Sequence, residues 1–199
     1  MKNISLRLVI LSALLFASGC QNCLVAFVNS PVFANVMMPQ AFEAVSENSK
    51  SGGTTHIWSD GKGHTRAETT VRGVKYASIT DFKNKISYSI NEATKTVTKV
   101  PLLGTPGEDP SAHWVACGEK IIDGHHCKGR RGTRGGAVME VWTGDDTDCT
   151  VLATSDGTPV HKLKSWKKAN PAASMFEVPQ GYRVVDMGAL MQRMREPSH

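Results

Sequence analysis

The sequence lacks the short motifs that mark the common enzyme and cofactor sites. It contains no G-x-S-x-G for a serine nucleophile, no H-E-x-x-H for a catalytic zinc, no C-x-x-C-H for haem and no glycine-rich phosphate loop. It also has no internal repeat and no low-complexity tract. We therefore expect a non-enzymatic protein with one folded domain and no cofactor.

The chain also lacks a strong excess of one charge. It has 23 Lys and Arg residues against 18 Asp and Glu residues, so its formal net charge is +5. Removing residues 1–19 would take away two basic residues and no acidic residue, which lowers the charge by two. An excess this small gives no reason to expect a nucleic-acid partner, and it is compatible with a position near anionic lipid head groups.

The sequence also lacks an apolar run long enough to cross a membrane. The basic residues Lys2 and Arg7 flank the start of the apolar segment Leu8–Ala17, which is too short to span a bilayer stably. A basic start followed by a short apolar segment is typical of an export signal. We therefore expect the protein to be exported, to the periplasm or the outer membrane of a Gram-negative bacterium.

Two cleavage sites fit this signal. Ala17-Ser18-Gly19-Cys20 resembles a bacterial lipobox, which predicts a diacylglycerol on Cys20 and a membrane anchor with two or more acyl chains. Val32-Phe33-Ala34 is an A-x-A-like site, and cleavage there would discard Cys20. The domain boundaries follow: a signal over residues 1–19 or 1–34, a linker over 20–40 and a single domain over 41–199.

The remainder of the chain has the pattern of antiparallel strands. Residues 56–101 alternate short apolar-polar stretches with turn residues, most clearly in Ile86–Ile90, where apolar side chains alternate with serines. Asp123-Gly124 is the strongest hairpin dipeptide of the chain. Met187–Arg195 has apolar residues at helical spacing and predicts a C-terminal amphipathic helix. The fold class is therefore mainly β (α+β).

The cysteines predict one cross-link. A hairpin closing at Asp123-Gly124 pairs Cys127 with Lys120, and the loop containing Cys149 should then pass close to Cys127. We predict a disulfide between Cys127 and Cys149, because an exported protein meets oxidising conditions. His125 and Cys127 share a strand face and could hold a metal together, but a third ligand would have to come from elsewhere, so we expect no metal site.

Several of these segments together resemble the LolA/LolB-like superfamily, and most closely its uncharacterised envelope domains. The similarity spans Phe42 to Met187, and the residues that carry it are Ile79-Thr80-Asp81, Tyr88, Asn91 and Phe176–Tyr182. The resemblance implies a strongly curved antiparallel half-barrel, here of about ten strands with a short C-terminal helix. It also implies that the concave face holds acyl chains, with helices as a lid.

We therefore expect a binding protein whose apolar sheet face takes a hydrophobic small molecule or acyl chain. The side chains predicted to contact this ligand are Trp58, Tyr88, Ile90, Met139 and Val141. The alternative is a protein-interaction or structural module of the envelope, in which the same face is an ordinary core and an exposed edge strand recruits a protein partner. A metal-handling protein is the third hypothesis.

Overall fold

The computed structural model describes residues 40–49, 52–102, 114–134, 136–147 and 149–195. Predictions about residues 1–39, including the export signal, the lipid on Cys20 and most of the linker, lie outside this part of the chain. The strands are β1 (Ala41–Asn48), β2 (Gly53–Asp60), β3 (His64–Val71), β4 (Val74–Asp81), β5 (Ile86–Asn91), β6 (Thr96–Pro101), β7 (Val115–Ile122), β8 (His125–Arg134), β9 (Ala137–Gly144), β10 (Thr150–Ser155), β11 (Thr158–Lys168) and β12 (Arg183–Asp186). A short 3-10 helix (Ala173–Phe176) precedes β12, and the helix α1 (Met187–Arg195) follows it.

All twelve strands belong to one curved, unclosed sheet, in the order β12-β6-β5-β4-β3-β2-β1-β11-β10-β9-β8-β7. Every neighbouring pair is antiparallel except β12, which lies parallel to β6 at one edge. The predicted half-barrel with a short C-terminal helix is thus confirmed, with twelve strands where about ten were expected. The pairing of β1 with β11 joins the two halves of the sheet.

Two hairpins, β7–β8 and β10–β11, close at Asp-Gly dipeptides. Asp123 and Gly124 have φ values of 51° and 87°, and Asp156 and Gly157 have φ values of 50° and 77°. Positive φ at both central residues gives a turn whose twist matches that of the flanking strands. Asp and Gly tolerate this conformation better than other residues, so each dipeptide fixes the register of its hairpin.

The main core lies on one face of the sheet. Phe42 and Ala44 of β1 pack with Ile57 of β2, and the cluster continues through Leu163 of β11 to Trp142 of β9. Phe42 is 1% exposed and Ile57 is 2% exposed. Burying each large apolar side chain contributes about 1.5–3 kcal/mol, so this cluster is a major source of stability.

The helix α1 begins and ends where the apolar spacing predicted. Asp186 caps it, because its Oδ1 accepts a hydrogen bond from the Ala189 backbone N–H at 3.0 Å. The other carboxylate oxygen of Asp186 pairs with Lys99 of β6 at 2.9 Å, which ties the helix start to the sheet. Among the described residues, no helix has the length and apolar character needed to cross a membrane.

Candidate functional site

Three of the five predicted ligand residues share one face of the sheet, opposite the main core. The strands β2 to β5 pair without a register shift, so Trp58, Arg66, Ile79 and Tyr88 stand side by side in one row across them. Ile90 lies on β5 two residues beyond Tyr88 and therefore points to the same face. We call this surface the Trp58 face.

The protein's own chain occupies part of this face. Ile90 is only 4% exposed and belongs to a buried cluster with Ile79 and Val97. Tyr88 packs against the same cluster, as do Val178 and Tyr182 from the segment that follows the 3-10 helix. Tyr88 and Ile90 thus contact other side chains of the protein.

The other two predicted ligand residues lie in the opposite half of the sheet. Val141 of β9 is 2% exposed and packs with Ala153 and Val160, and Met139 packs against this cluster. Trp114, just before β7, also packs against this cluster. The structure therefore places the five predicted residues in three separate environments, and two of these are filled by the protein's own side chains.

Trp58 borders the third environment, which is an open cleft of about 180 Å³ at the end of the Trp58 face. The cleft is lined on its less polar side by Trp58, His56 and Ala77. Its charged lining residues are Glu68, Lys75 and Glu92, none of which was predicted from the sequence. We call this cleft, with these six residues, the Trp58 cleft.

One carboxylate of the cleft is held in a fixed position. Arg66 is 14% exposed, and its Nε donates a hydrogen bond to Glu68 Oε1 at 2.8 Å. Another guanidinium nitrogen of Arg66 donates to the backbone oxygen of Met175 at 3.1 Å. Because the Arg66 guanidinium is also held by the Met175 oxygen, it orients Glu68 without any ligand present, and the charged hydrogen bond is stronger than a neutral one.

The aromatic wall of the cleft is also pre-arranged. The rings of His56 and Trp58 are stacked, with centroids 5.9 Å apart and an interplanar angle of 25°. They can stack because residues two apart on a strand lie on the same face. The cleft therefore combines a stacked aromatic surface with charged groups of both signs, which is an arrangement that suits an amphipathic molecule.

His64 lies on the same face, further along β3, and has a local structural role. Its Nδ1 is 2.6 Å from Asp60 Oδ2, and its Nε2 is 3.8 Å from Asp81 Oδ2. Burial acts to raise the pKa of Asp60, but hydrogen bonds from His64 and from backbone N–H groups outweigh it and hold this pKa below its usual value. These contacts hold the turn between β2 and β3 in place.

The predicted cysteine pair lies in the main core. Cys127 and Cys149 belong to one buried cluster, but no S–S bond joins the cysteines that the structure describes, so the disulfide stays a prediction. His125 pairs with Asp146 at 2.9 Å and His126 with Asp145 at 2.8 Å. The described residues contain no group of three or more His, Cys, Asp or Glu side chains arranged to hold a metal ion.

Comparison with protein-family models and with curated protein sequences finds no match. Among solved structures, an uncharacterized conserved protein from Thermus thermophilus aligns with 13% identity and a TM-score of 0.58, covering 81% of this chain and 98% of that protein. PNGF-II aligns with 14% identity and a TM-score of 0.53, covering 78% of this chain but only 32% of PNGF-II. MucB aligns with 16% identity and a TM-score of 0.47, over 82% of this chain and 66% of MucB. What the chain shares with the first two proteins is the fold, an open and curved β-sheet.

Proposed function

We propose that this chain is an exported, non-enzymatic binding protein of the bacterial envelope that takes a small amphipathic molecule in the Trp58 cleft. The observation that carries the proposal is the combination of the stacked His56 and Trp58 rings with a carboxylate that Arg66 already orients. Groups held in place before the ligand arrives lose little entropy on binding. Binding here is desolvation and hydrogen bonding, with no chemical step.

The lining of the cleft indicates the kind of ligand. Its apolar part would lie against Trp58 and Ala77, which removes apolar surface from water at about 25 cal/mol per Å². Glu68 and Glu92 accept hydrogen bonds, and Lys75 donates them. Glu68 is already paired with Arg66, and Glu92 and Lys75 carry opposite charges, so the cleft offers no net attraction to a charged head group and a neutral, hydroxyl-bearing head group fits best.

The size of the cleft limits how much of a ligand it can hold. Ligand pockets usually enclose about 300–1,000 Å³, whereas this cleft has about 180 Å³. It therefore suits the head group and the first part of an apolar tail. A whole acyl chain, as the LolA/LolB-like resemblance implies, would need additional surface.

The proposed location rests on the sequence. A signal peptide, the lipobox at Cys20 and membership of the LolA/LolB-like superfamily all belong to this proposal, and the observed half-barrel supports the last of them. A lipid on Cys20 would hold the binding domain at a membrane surface, where amphipathic molecules are concentrated.

The test is a titration of isotope-labelled protein by NMR with three probes that share an eight-carbon tail. Octyl glucoside has a neutral hydroxyl head, whereas octanoate and octylamine are charged. We expect octyl glucoside to bind most tightly and to shift amide signals of β2, β3 and β4 around the cleft. Trp58→Ala should weaken the binding of octyl glucoside by about tenfold or more. The control is Val184→Ala, which changes an exposed apolar residue on the edge strand β12 and should leave this binding unchanged. The absence of cleft shifts with all three probes would exclude the proposed site.

A second candidate function is recognition of a protein partner along β7. This strand is the last of the sheet and has no described neighbour on its outer side, and its Val115 and Ile121 are 61% and 74% exposed. A strand edge of this kind can pair with an extended segment of another protein. A register shift between Ala116 and Gly118 interrupts the pairing of β7 with β8, and the longer regular part of β7 runs over Gly118–Ile122.

This second candidate can be tested by placing a photoreactive residue at Ile121 in cells that export the protein. We expect a cross-link to one defined envelope protein. The matched control is the same residue at Val184, which is 51% exposed on the opposite edge strand. Equal labelling at both positions would show non-specific capture and would contradict a partner site on β7.

A further inference from the structure

We infer that a segment near the C-terminus sets the selectivity of the Trp58 cleft by holding Arg66 against Glu68. This segment is residues 173–182, which start with the 3-10 helix and end just before β12, and we call it the strap. No strap residue lines the cleft, so the strap acts on a ligand only through Arg66. The inference rests on the proposed function, because it assigns the strap a role in that binding site.

The strap lies across the Trp58 face and is attached to the sheet at both ends. At its start the 3-10 helix packs on β3, and the ring of Phe176 lies against the ring of His64, with centroids 6.3 Å apart. Toward its end Val178 and Tyr182 pack against the buried cluster that contains Ile90. The course of the strap over the sheet is therefore set by contacts that do not involve a ligand.

His64 is a fixed support for Phe176. Its Nδ1 lies 2.6 Å from Asp60 Oδ2, and its Nε2 lies 3.8 Å from Asp81 Oδ2. Turning the imidazole away from the strap would break the shorter of these contacts, which is a hydrogen bond to a charged acceptor. Phe176 itself is only half-buried, so one substitution there removes most of the contact that holds the start of the strap.

The strap reaches the cleft through one backbone oxygen. The oxygen of Met175 accepts a hydrogen bond from Arg66 Nη1 at 3.1 Å, while Nε of the same guanidinium donates to Glu68 Oε1 at 2.8 Å. The guanidinium is planar, so these two bonds together fix its orientation. The Met175 N–H donates to the Ala172 oxygen at 3.0 Å, which sets the backbone at this point. Displacing the strap would therefore remove one of the two bonds that orient Arg66.

Arg66 decides the net charge that the cleft presents to a ligand. The charged lining residues are two carboxylates, Glu68 and Glu92, and one ammonium, Lys75, which leaves a formal excess of one negative charge. Arg66 lies opposite Trp58 in the pairing of β2 with β3 and balances that excess. Compensation is strongest at hydrogen-bond distance, which the strap maintains. The strap thereby favours a neutral head group over a cationic one.

The first test needs no ligand. NMR measures the hydrogen-exchange rate of the Arg66 Nε–H in the wild type and in Phe176→Ala. We expect this exchange to be about tenfold faster or more in the variant, because a loosened strap lets the guanidinium leave Glu68 more often. Phe176→Leu keeps an apolar side chain against His64 and should restore most of the protection. The matched control is Val160→Ala, which removes buried apolar surface in the opposite half of the sheet and should leave this rate unchanged.

The second test measures selectivity as the ratio of the dissociation constants for octylamine and octyl glucoside. Arg66→Gln leaves Glu68 without its charged partner, so we expect the ratio to move toward octylamine by about fivefold. Phe176→Ala should move the ratio in the same direction, and Val160→Ala should leave it unchanged. A merely structural role of the strap would instead weaken the binding of both probes equally.

An unchanged Arg66 exchange rate in Phe176→Ala would overturn the inference, whatever the ligand titrations show. Equal weakening of both probes in Arg66→Gln and in Phe176→Ala would overturn it as well. Faster exchange in Phe176→Ala, together with no binding of either probe to the wild type, would refute the proposed function but support the positioning of Arg66 by the strap.

Discussion

The buried side chain of His161 makes the stability of this protein depend on pH. The side chain is 5% exposed, and its Nε2 donates a hydrogen bond to the backbone oxygen of Thr150 at 3.1 Å. Burial lowers the pKa of His161 from 6.5 to about 4. In the folded protein the ring therefore stays neutral at pH values where it becomes protonated in the unfolded chain.

The direction of the pH dependence follows from the pKa of His161 being lower in the folded protein than in the unfolded chain. The contribution of neutral His161 to the stability of the fold is complete above about pH 6.5. It is lost as the pH falls toward about 4, because the unfolded chain binds the proton first. Each pKa unit corresponds to about 1.4 kcal/mol, so at pH about 4.5 the folded state has lost roughly 2 to 3 kcal/mol through this residue. Such a loss is a large fraction of the stability of a typical domain.

The measurement is urea unfolding of the wild type and of His161→Gln between about pH 7 and about pH 4.5. The glutamine side chain of this variant can still donate to the Thr150 oxygen but does not titrate. We expect the free energy of unfolding to fall by roughly 2 to 3 kcal/mol more in the wild type than in the variant over this interval. The reasoning is refuted if both proteins lose the same amount, since carboxylates elsewhere affect the two equally.

Two further substitutions test the packing. Gly129→Ala places a Cβ 2.5 Å from the ring of Trp142 and 2.7 Å from Cys117 Sγ. We therefore expect thermal unfolding to show a destabilisation of about 1–3 kcal/mol, and an unchanged midpoint would contradict this packing. Asp186→Ala removes the side-chain acceptor of the Ala189 N–H, and we expect a loss of about 1 kcal/mol with faster amide exchange in α1; unaltered exchange there would argue against the cap.

The strands that alternate were predictable from the sequence, and a strand buried on both sides was not. The alternation in His64–Val71 predicts a strand there, and the structure has β3 over the same residues, with Thr65 and Ala67 buried between partly exposed neighbours. Thr150–Ser155 was missed as a strand, because five of its six residues are buried and it has no polar face. A short run of this kind gives no period to detect.

The parallel pairing of β12 with β6 could not be predicted from the sequence either. The sequence predicts a last strand over Tyr182–Asp186 that closes the sheet, and the structure has Arg183–Asp186 as an edge strand. Only contacts between distant segments, such as the Lys99–Asp186 ion pair, place it beside β6. The polar stretch Glu47–Gly53, rich in Gly and Ser, predicts a loop between the first two strands, but the loop in the structure is shorter, because β1 extends to Asn48 and β2 begins at Gly53.

The candidate site was likewise only partly predictable from the sequence. Sequence alternation predicted that Tyr88 and Ile90 share an apolar face, and they do. It could not show that Val178 and Tyr182 cover that face, because they come from about ninety residues further along the chain. The charged residues of the cleft were missed because they become neighbours of Trp58 only through strand register.

The sequence did contain one usable signal for the cleft. Arg66 and Glu68 are two residues apart on a strand and therefore point to the same face. The hairpin between β2 and β3 places Arg66 opposite Trp58 and Glu68 opposite His56. An ion pair beside an aromatic residue on one sheet face is thus a pattern that can be recognised once the hairpin register is known.

The central claim is that the Trp58 cleft is a binding site, and its most direct test is the octyl glucoside titration followed at the amides around Trp58 and Glu68. The account predicts saturable shifts confined to the cleft that Trp58→Ala weakens by about tenfold or more and Val184→Ala leaves unchanged. Shifts that do not saturate, or that are the same in both variants, would contradict it.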